Sequence, residues 1–159
     1  MKMTILAVGR CKEAYWNKAI EEYSRRLGRY CTLEIREVAD EKTPDGASEN
    51  QECQIREREG ERLLKLLRED AYCIALDIRG QEVDSVELSQ KIENLGVSGI
   101  SHIQFVIGGS LGLSEEVLRR ADWRLSFSRM TFPHQLMRVI LLEQIYRSWR
   151  IARHEPYHK

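Results

Sequence analysis

Apolar and polar positions alternate in blocks along the chain, and the blocks change period. Met3 to Val8 is a short continuous apolar run, the pattern of a buried strand. From Glu13 to Leu27 the apolar positions Trp16, Ala19, Ile20, Tyr23 and Leu27 fall at helical spacing, and Gly28 follows as a stop. Thr32 to Val38 alternates Leu33 and Ile35 with charge, which predicts a half-exposed strand. A loop, DEKTPDGASEN (Asp40 to Asn50), leads to Ser48 and Gln51, spaced as a capping box. The helix they open is polar until Leu63, Leu64, Leu66 and Leu67.

Tyr72 to Ile78 is the next predicted buried strand, closed by Arg79-Gly80. Ser85 to Leu95 is a helix with Leu88, Ile92 and Leu95 on one face, and His102 to Ile107 is again a strand. A glycine turn, Gly108-Gly109-Ser110-Leu111-Gly112, then leads to a short helix capped by Ser114, with Glu115 and Glu116 complementing its dipole. Arg124 to Phe127 forms a last short strand, Pro133 marks a helix start, and Leu136 to Ile151 is a long helix. Strands alternating with helices define an α/β fold with a mostly parallel sheet flanked by helices. No repeat, linker or low-complexity tract divides the 159 residues, so one domain, 1–159, is expected. The last helix is apolar on several sides (Leu136, Met137, Val139, Ile140, Leu141, Leu142, Ile145, Tyr146, Trp149), which calls for partners on several sides and points to a homodimer.

Composition narrows the class. No apolar run reaches the roughly 20 residues of a membrane span, and the N-terminus lacks a signal peptide's features, so a cytoplasmic protein without a membrane partner is expected. Cys11, Cys31, Cys53 and Cys73 form no CxxC pair, which argues against a metal site. Net charge is zero, against binding nucleic acid by bulk electrostatics. Yet nine basic and three acidic residues lie from Arg119 onward, a local bias that suits a polyanion recognised at one site.

The glycine turn excludes two nucleotide sites. Gly112 is followed by Leu113-Ser114, so no P-loop lysine is present. GGxxG after the fourth strand is not the dinucleotide fingerprint. A structural turn and a ligand loop both remain open on local chemistry. Ligands of parallel sheets bind at the carboxyl ends of strands. Three such ends offer candidates: Leu76-Asp77 with Arg79-Gly80, Gly108-Gly109, and FSRMTFPHQLMR from Phe127 to Arg138. In the last, backbone amides and carbonyls can read an adenine edge while apolar side chains sandwich the ring.

LAVGR (Leu6 to Arg10), LDIRG (Leu76 to Gly80), FVIGGSLGLS (Phe105 to Ser114), LSFSRMTFPHQLMRVILLEQIYR (Leu125 to Arg147) and HEPYHK (His154 to Lys159) together resemble the SPOUT methyltransferases and, within them, the ribosomal RNA large subunit methyltransferase H family. The resemblance runs the length of the chain. It implies a SPOUT fold with a C-terminal trefoil knot, a rare exception to ordinary chain routing. It also implies S-adenosylmethionine as cofactor, held by Leu76, Gly108, Phe127, Ser128, Arg129, Met130, Thr131 and Phe132. The implied partner is 23S ribosomal RNA in the assembled 70S ribosome, methylated at N3 of a pseudouridine by a homodimer whose site both subunits complete. Arg147, Tyr157 and His158 are then the catalytic candidates: His158 to take the N3 proton, Arg147 to stabilise the imidate or grip a phosphate, Tyr157 to stack on or hydrogen-bond the base. His154 is a weaker candidate and His134 is assigned no catalytic role. The alternatives are a SPOUT enzyme acting on transfer RNA and a ribosome-binding factor without catalysis.

Overall fold

The computed structural model describes all residues, Met1–Lys159. Five strands form one sheet: β1 (Lys2–Val8), β2 (Thr32–Val38), β3 (Tyr72–Glu82), β4 (His102–Ile107) and β5 (Trp123–Ser126). Their order is β2-β1-β4-β3-β5, and every pairing is parallel. Five helices alternate with them: α1 (Ala14–Leu27), α2 (Glu49–Leu64), α3 (Ser85–Val97), α4 (Glu115–Arg120) and α5 (His134–Ala152).

The period-2 pattern sorts the core into two layers. Met3, Ile5 and Ala7 of β1 and Ile103, Phe105 and Ile107 of β4 face α1, α3 and α5. Leu6, Val8 and Val106 face α2 and α4, where Leu63 and Val117 meet them. Both faces of the central strands are covered, as parallel strands require. Capping is local and legible: Ser48 and Gln51 form the expected reciprocal box, and Asp84 with Glu87 forms a second one that opens α3.

Element ends shift by a few residues from the sequence reading. β5 begins one residue early, α5 starts at His134 directly after Pro133, and β3 continues to Glu82 rather than ending at Ile78. The extension of β3 has a tertiary cause. Leu76 and Gln81 both align with Leu125, so Asp77 to Gly80 bulge out before pairing with β5 resumes. Gly80 is needed there, because a Cβ on it would lie 2.7 Å from the Arg124 carbonyl carbon. From the outer edge at β5 the chain crosses the carboxyl end of the sheet and runs back as α5, which packs on α1 and α3.

The basic C-terminal quarter is divided: Arg119, Arg129, Arg153 and Lys159 are exposed, while three other arginines are held by carboxylates. Arg138, Arg147 and Arg150 are paired within the chain, to Glu37, Glu143 and Glu155 respectively. The cysteines are free, no cluster of potential ligands could hold a metal ion, and no helix is long and apolar enough to cross a membrane.

Glu59 of α2 is buried and its carboxylate accepts the Glu41 N–H at 3.0 Å. Burial, and behind it the charge of Asp40, pushes its pKa above the ordinary glutamate value despite that bond. A raised folded pKa means that its stabilising contribution is complete below about pH 4.3 and is lost as pH rises through the folded value. Glu59→Gln keeps an oxygen for Glu41 and removes the charge. Thermal melts at pH 4, 6 and 8 should show no gain at pH 4 and a gain of roughly 2–4 °C by pH 8.

Candidate functional site

Three loops at the carboxyl ends of β3, β4 and β5 enclose a cavity of about 650 Å³. Leu76, Asp77 and Ile78 form one wall, Gly108 to Leu113 the second, and Phe127, Ser128 and Met130 to Pro133 the third. His134 and Met137 close it from the first turn of α5. Of the eight residues expected to hold a cofactor, seven line this space. Arg129 does not; its side chain lies in an exposed position on the outside of the loop. Asp77, Ser110, His134 and Met137 line it without having been singled out as contacts. All four stand inside the motifs quoted above, and Leu76-Asp77 is one of the candidate strand ends, but nothing in the sequence fixes which way their side chains point.

The loops are held by specific contacts. The buried Ser126 hydroxyl lies 3.2 Å from the Ile78 carbonyl and 3.1 Å from that of Ser128, tying the third wall to the first. The Met130 N–H donates to Ser128 Oγ at 2.9 Å, a tight side-chain turn. In the second wall, Gly112 takes a φ of 81° and its N–H donates to the Gly109 carbonyl. A Cβ on Gly108 would stand 2.7 Å from the Gly112 carbonyl carbon. Gly108 is therefore required by its own turn, a structural demand that coexists with any ligand. Gly108→Ala should cost about 1–3 kcal/mol and lower the melting temperature by roughly 5 °C. Calorimetry of the two proteins checks this.

His134 lies beside Gly9 and its pKa is depressed by burial and by the neighbouring Arg138 guanidinium, so it is neutral at pH 7. The only charged side chain on the cavity wall is then Asp77. A cavity of this size, mostly apolar with a few convergent polar groups, suits an organic ligand. Phe127, Met130 and Phe132 give the third wall an aromatic and sulfur-bearing apolar surface.

The tail forms a second cluster. His154, at φ 55°, reverses the chain after α5, and the Arg150 guanidinium donates to the Pro156 carbonyl at 2.9 Å. Tyr157 packs edge-on against Tyr146 at 5.0 Å, and its hydroxyl donates to Glu143 at 3.1 Å. Arg147 binds the same carboxylate at 2.7 Å, lies 4.6 Å from the Tyr157 ring centre, and reaches His158 Nδ1 at 3.3 Å. The three catalytic candidates are thus gathered into one ordered cluster rather than spread along an idle tail. Burial and the Glu143 carboxylate raise the Tyr157 pKa, so the phenol is a donor and not a base. Arginine can only donate, so His158 Nδ1 accepts in this arrangement and the ring proton sits on Nε2. His154 is exposed and serves the reversal.

Cavity and tail cluster lie at opposite ends of α5. His134 and Arg147 are 13 residues apart, which at helical rise is about 20 Å. Leu136, Ile140, Glu143 and Arg147 form a half-exposed flank that joins them.

Residues 1–158 match a family profile described as "Predicted SPOUT methyltransferase". Two curated relatives align over the full length of both chains. A ribosomal RNA large subunit methyltransferase H of Bifidobacterium adolescentis is 61% identical, and one of Clostridium perfringens is 58% identical. A methyltransferase of Legionella pneumophila, solved with bound cofactor SAM, shares the fold at a TM-score of 0.51 and 10% identity; the match covers 96% of this chain and 66% of that one.

Proposed function

Since the chain belongs to the ribosomal RNA large subunit methyltransferase H family of SPOUT methyltransferases, we propose that it transfers a methyl group from S-adenosylmethionine to 23S ribosomal RNA. The acceptor is N3 of a pseudouridine in the assembled 70S ribosome, and the enzyme acts as a homodimer in the cytoplasm. The observation that carries the reading is the single cavity into which Leu76, Gly108 and the Phe127–Phe132 segment converge.

Leu76, Gly108, Phe127, Ser128, Met130, Thr131 and Phe132 would hold the cofactor, and Arg129, outside the cavity wall, would not touch it with its side chain. When bound, S-adenosylmethionine supplies a methyl group on a positively charged sulfur whose departing thioether is neutral. The chain's own task is therefore to align the acceptor nitrogen and to manage its proton. An imide nitrogen is a poor nucleophile until deprotonated. Arg147 favours the anionic base by its charge, Tyr157 donates a hydrogen bond or stacks, and His158 takes the proton at Nδ1 once the base displaces the Arg147 contact.

The 20 Å between cavity and tail supports the dimer. One chain cannot bring both to one nucleotide, whereas a second copy packed along the half-exposed flank of α5 brings its tail to the first copy's cavity. Zero net charge agrees with an enzyme that fits a preformed ribosomal surface rather than covering many phosphates.

The test is transfer of labelled methyl from S-adenosylmethionine to 70S ribosomes, free large subunits and bulk transfer RNA from a strain lacking this gene. Label confined to 70S ribosomes and mapped to one pseudouridine is expected. Label on transfer RNA overturns the substrate, and no label on any acceptor overturns the catalytic reading.

A further inference from the structure

Asp77 follows Leu76 at the point where β3 bulges away from β5. Its side chain is only 10% exposed. Oδ1 accepts the Arg79 N–H at 3.3 Å, a bond internal to the bulge. Oδ2 is buried and has no hydrogen-bond partner. The Arg124 guanidinium stands 4.0 Å away, beyond hydrogen-bond reach, on a side chain that is 42% exposed. A buried carboxylate oxygen without a donor is costly and rare. Asp77 faces two spaces, the cavity described above and a polar groove of about 640 Å³ that runs on from it past Arg79 toward α2 and α4. It brings negative charge to a cavity that is otherwise uncharged.

We propose that Asp77 is the charge-selecting residue of the cofactor site: its unpartnered Oδ2 favours the cationic sulfonium donor over the neutral thioether product. The inference rests on the S-adenosylmethionine reading above. S-adenosylmethionine carries one more positive charge than S-adenosylhomocysteine, and the two are otherwise nearly the same in shape. A fixed carboxylate in a partly dry cavity is the simplest device that separates them, since Coulomb attraction is far stronger there than in water. Apolar walls alone hold both equally. Selection by charge lets the product leave once the methyl, and with it the charge, has gone. Arg124 is close enough to moderate the field without cancelling it.

Asp77→Asn isolates this role. The amide oxygen keeps the Arg79 contact, and only the charge and the acceptor at Oδ2 are lost. Titration calorimetry of the full chain with S-adenosylmethionine and, separately, S-adenosylhomocysteine reads the outcome, with melting temperatures as the folding control. The expected result is that Kd for S-adenosylmethionine rises by about tenfold or more while that for S-adenosylhomocysteine changes by less than about threefold. Arg124→Gln removes the opposing charge and leaves Asp77 in place. It should tighten S-adenosylmethionine binding and leave that of S-adenosylhomocysteine unaffected. Equal losses for both ligands in Asp77→Asn overturn the proposal, because they assign Oδ2 to a hydroxyl or ammonium that the two share. Unchanged affinities overturn it as well. Failure of the wild-type chain to bind either ligand overturns the cofactor reading and this proposal with it.

Discussion

Deleting Tyr157 to Lys159 will leave S-adenosylmethionine affinity within about threefold of the full chain while methyl transfer to ribosomes falls by about a hundredfold or more, a loss of roughly 2.7 kcal/mol in transition-state stabilisation. The two readouts separate because the cavity walls come from the β3, β4 and β5 loops and the start of α5, none of which touches the tail. Folding should survive. The deleted residues contribute an edge-on aromatic contact with Tyr146, a hydrogen bond to Glu143, and the Arg147 contacts with the Tyr157 ring and His158, together worth about 2–4 kcal/mol. Glu143 keeps Arg147 as a partner after the deletion. Single substitutions then apportion the loss. Tyr157→Phe removes only the hydroxyl and should cost less than Arg147→Gln, which removes the cation next to both Tyr157 and His158. A truncated protein that methylates ribosomes at the full rate refutes the catalytic assignment of all three residues.

Arg138→Met is the substitution with the largest expected effect on stability. Arg138 is the largest fully buried side chain in the molecule, 2% exposed. Its guanidinium donates to the carbonyls of Val8 at 3.1 Å and Gly9 at 2.7 Å, where β1 ends, and pairs with Glu37 at the end of β2. One side chain thus ties the first turn of α5 to the ends of two strands. Methionine fills much of the volume but leaves both carbonyls without a donor and strips Glu37 of its cation. Glu37 retains the Cys11 N–H at 2.8 Å. Glu37 is 37% exposed, so the main cost is the two carbonyls that lose this donor, about 1–3 kcal/mol each, which for a chain of this size is a fall of roughly 4–24 °C in melting temperature. Lysine should rescue little, because a single ammonium cannot reproduce the planar fork that reaches two carbonyls and a carboxylate. His134 and Met137 flank Arg138 on the same turn and line the cavity, so cofactor affinity should fall with stability. A melt within 2 °C of wild type would show that the buried arginine is not the strut described here.

The elements were legible because their causes are local. Ser48 with Gln51 names a helix start without reference to anything distant, and Met3 to Val8 is apolar enough to be a strand in any fold. Where the reading slipped, the cause was distant in sequence. β3 runs past Ile78 only because Leu125 and Ser126 are there to pair with Gln81 and Glu82. Within the basic stretch after Arg119, nothing local shows that Arg138 is buried and finds its carboxylate about a hundred residues upstream, at Glu37. The resemblance gathered into one list seven residues that line one cavity. It could not tell that Arg129 lies outside the cavity wall while Asp77 stands inside it.

By itself the sequence determined the kind and order of the elements, the parallel α/β class and the three motif-bearing strand ends, because propensity, capping and hydrophobic period act over a few residues. The tertiary structure alone decided that those ends enclose one cavity and that Asp77 lines it with a carboxylate whose buried Oδ2 has no hydrogen-bond partner. It also decided that Arg147 and Tyr157 share the Glu143 carboxylate, with His158 held by Arg147, at the far end of α5, about 20 Å from the cavity. The contacts that set the cavity wall and the buried arginine beside it join residues 48 to 130 positions apart, and no local pattern encodes a distance of that kind.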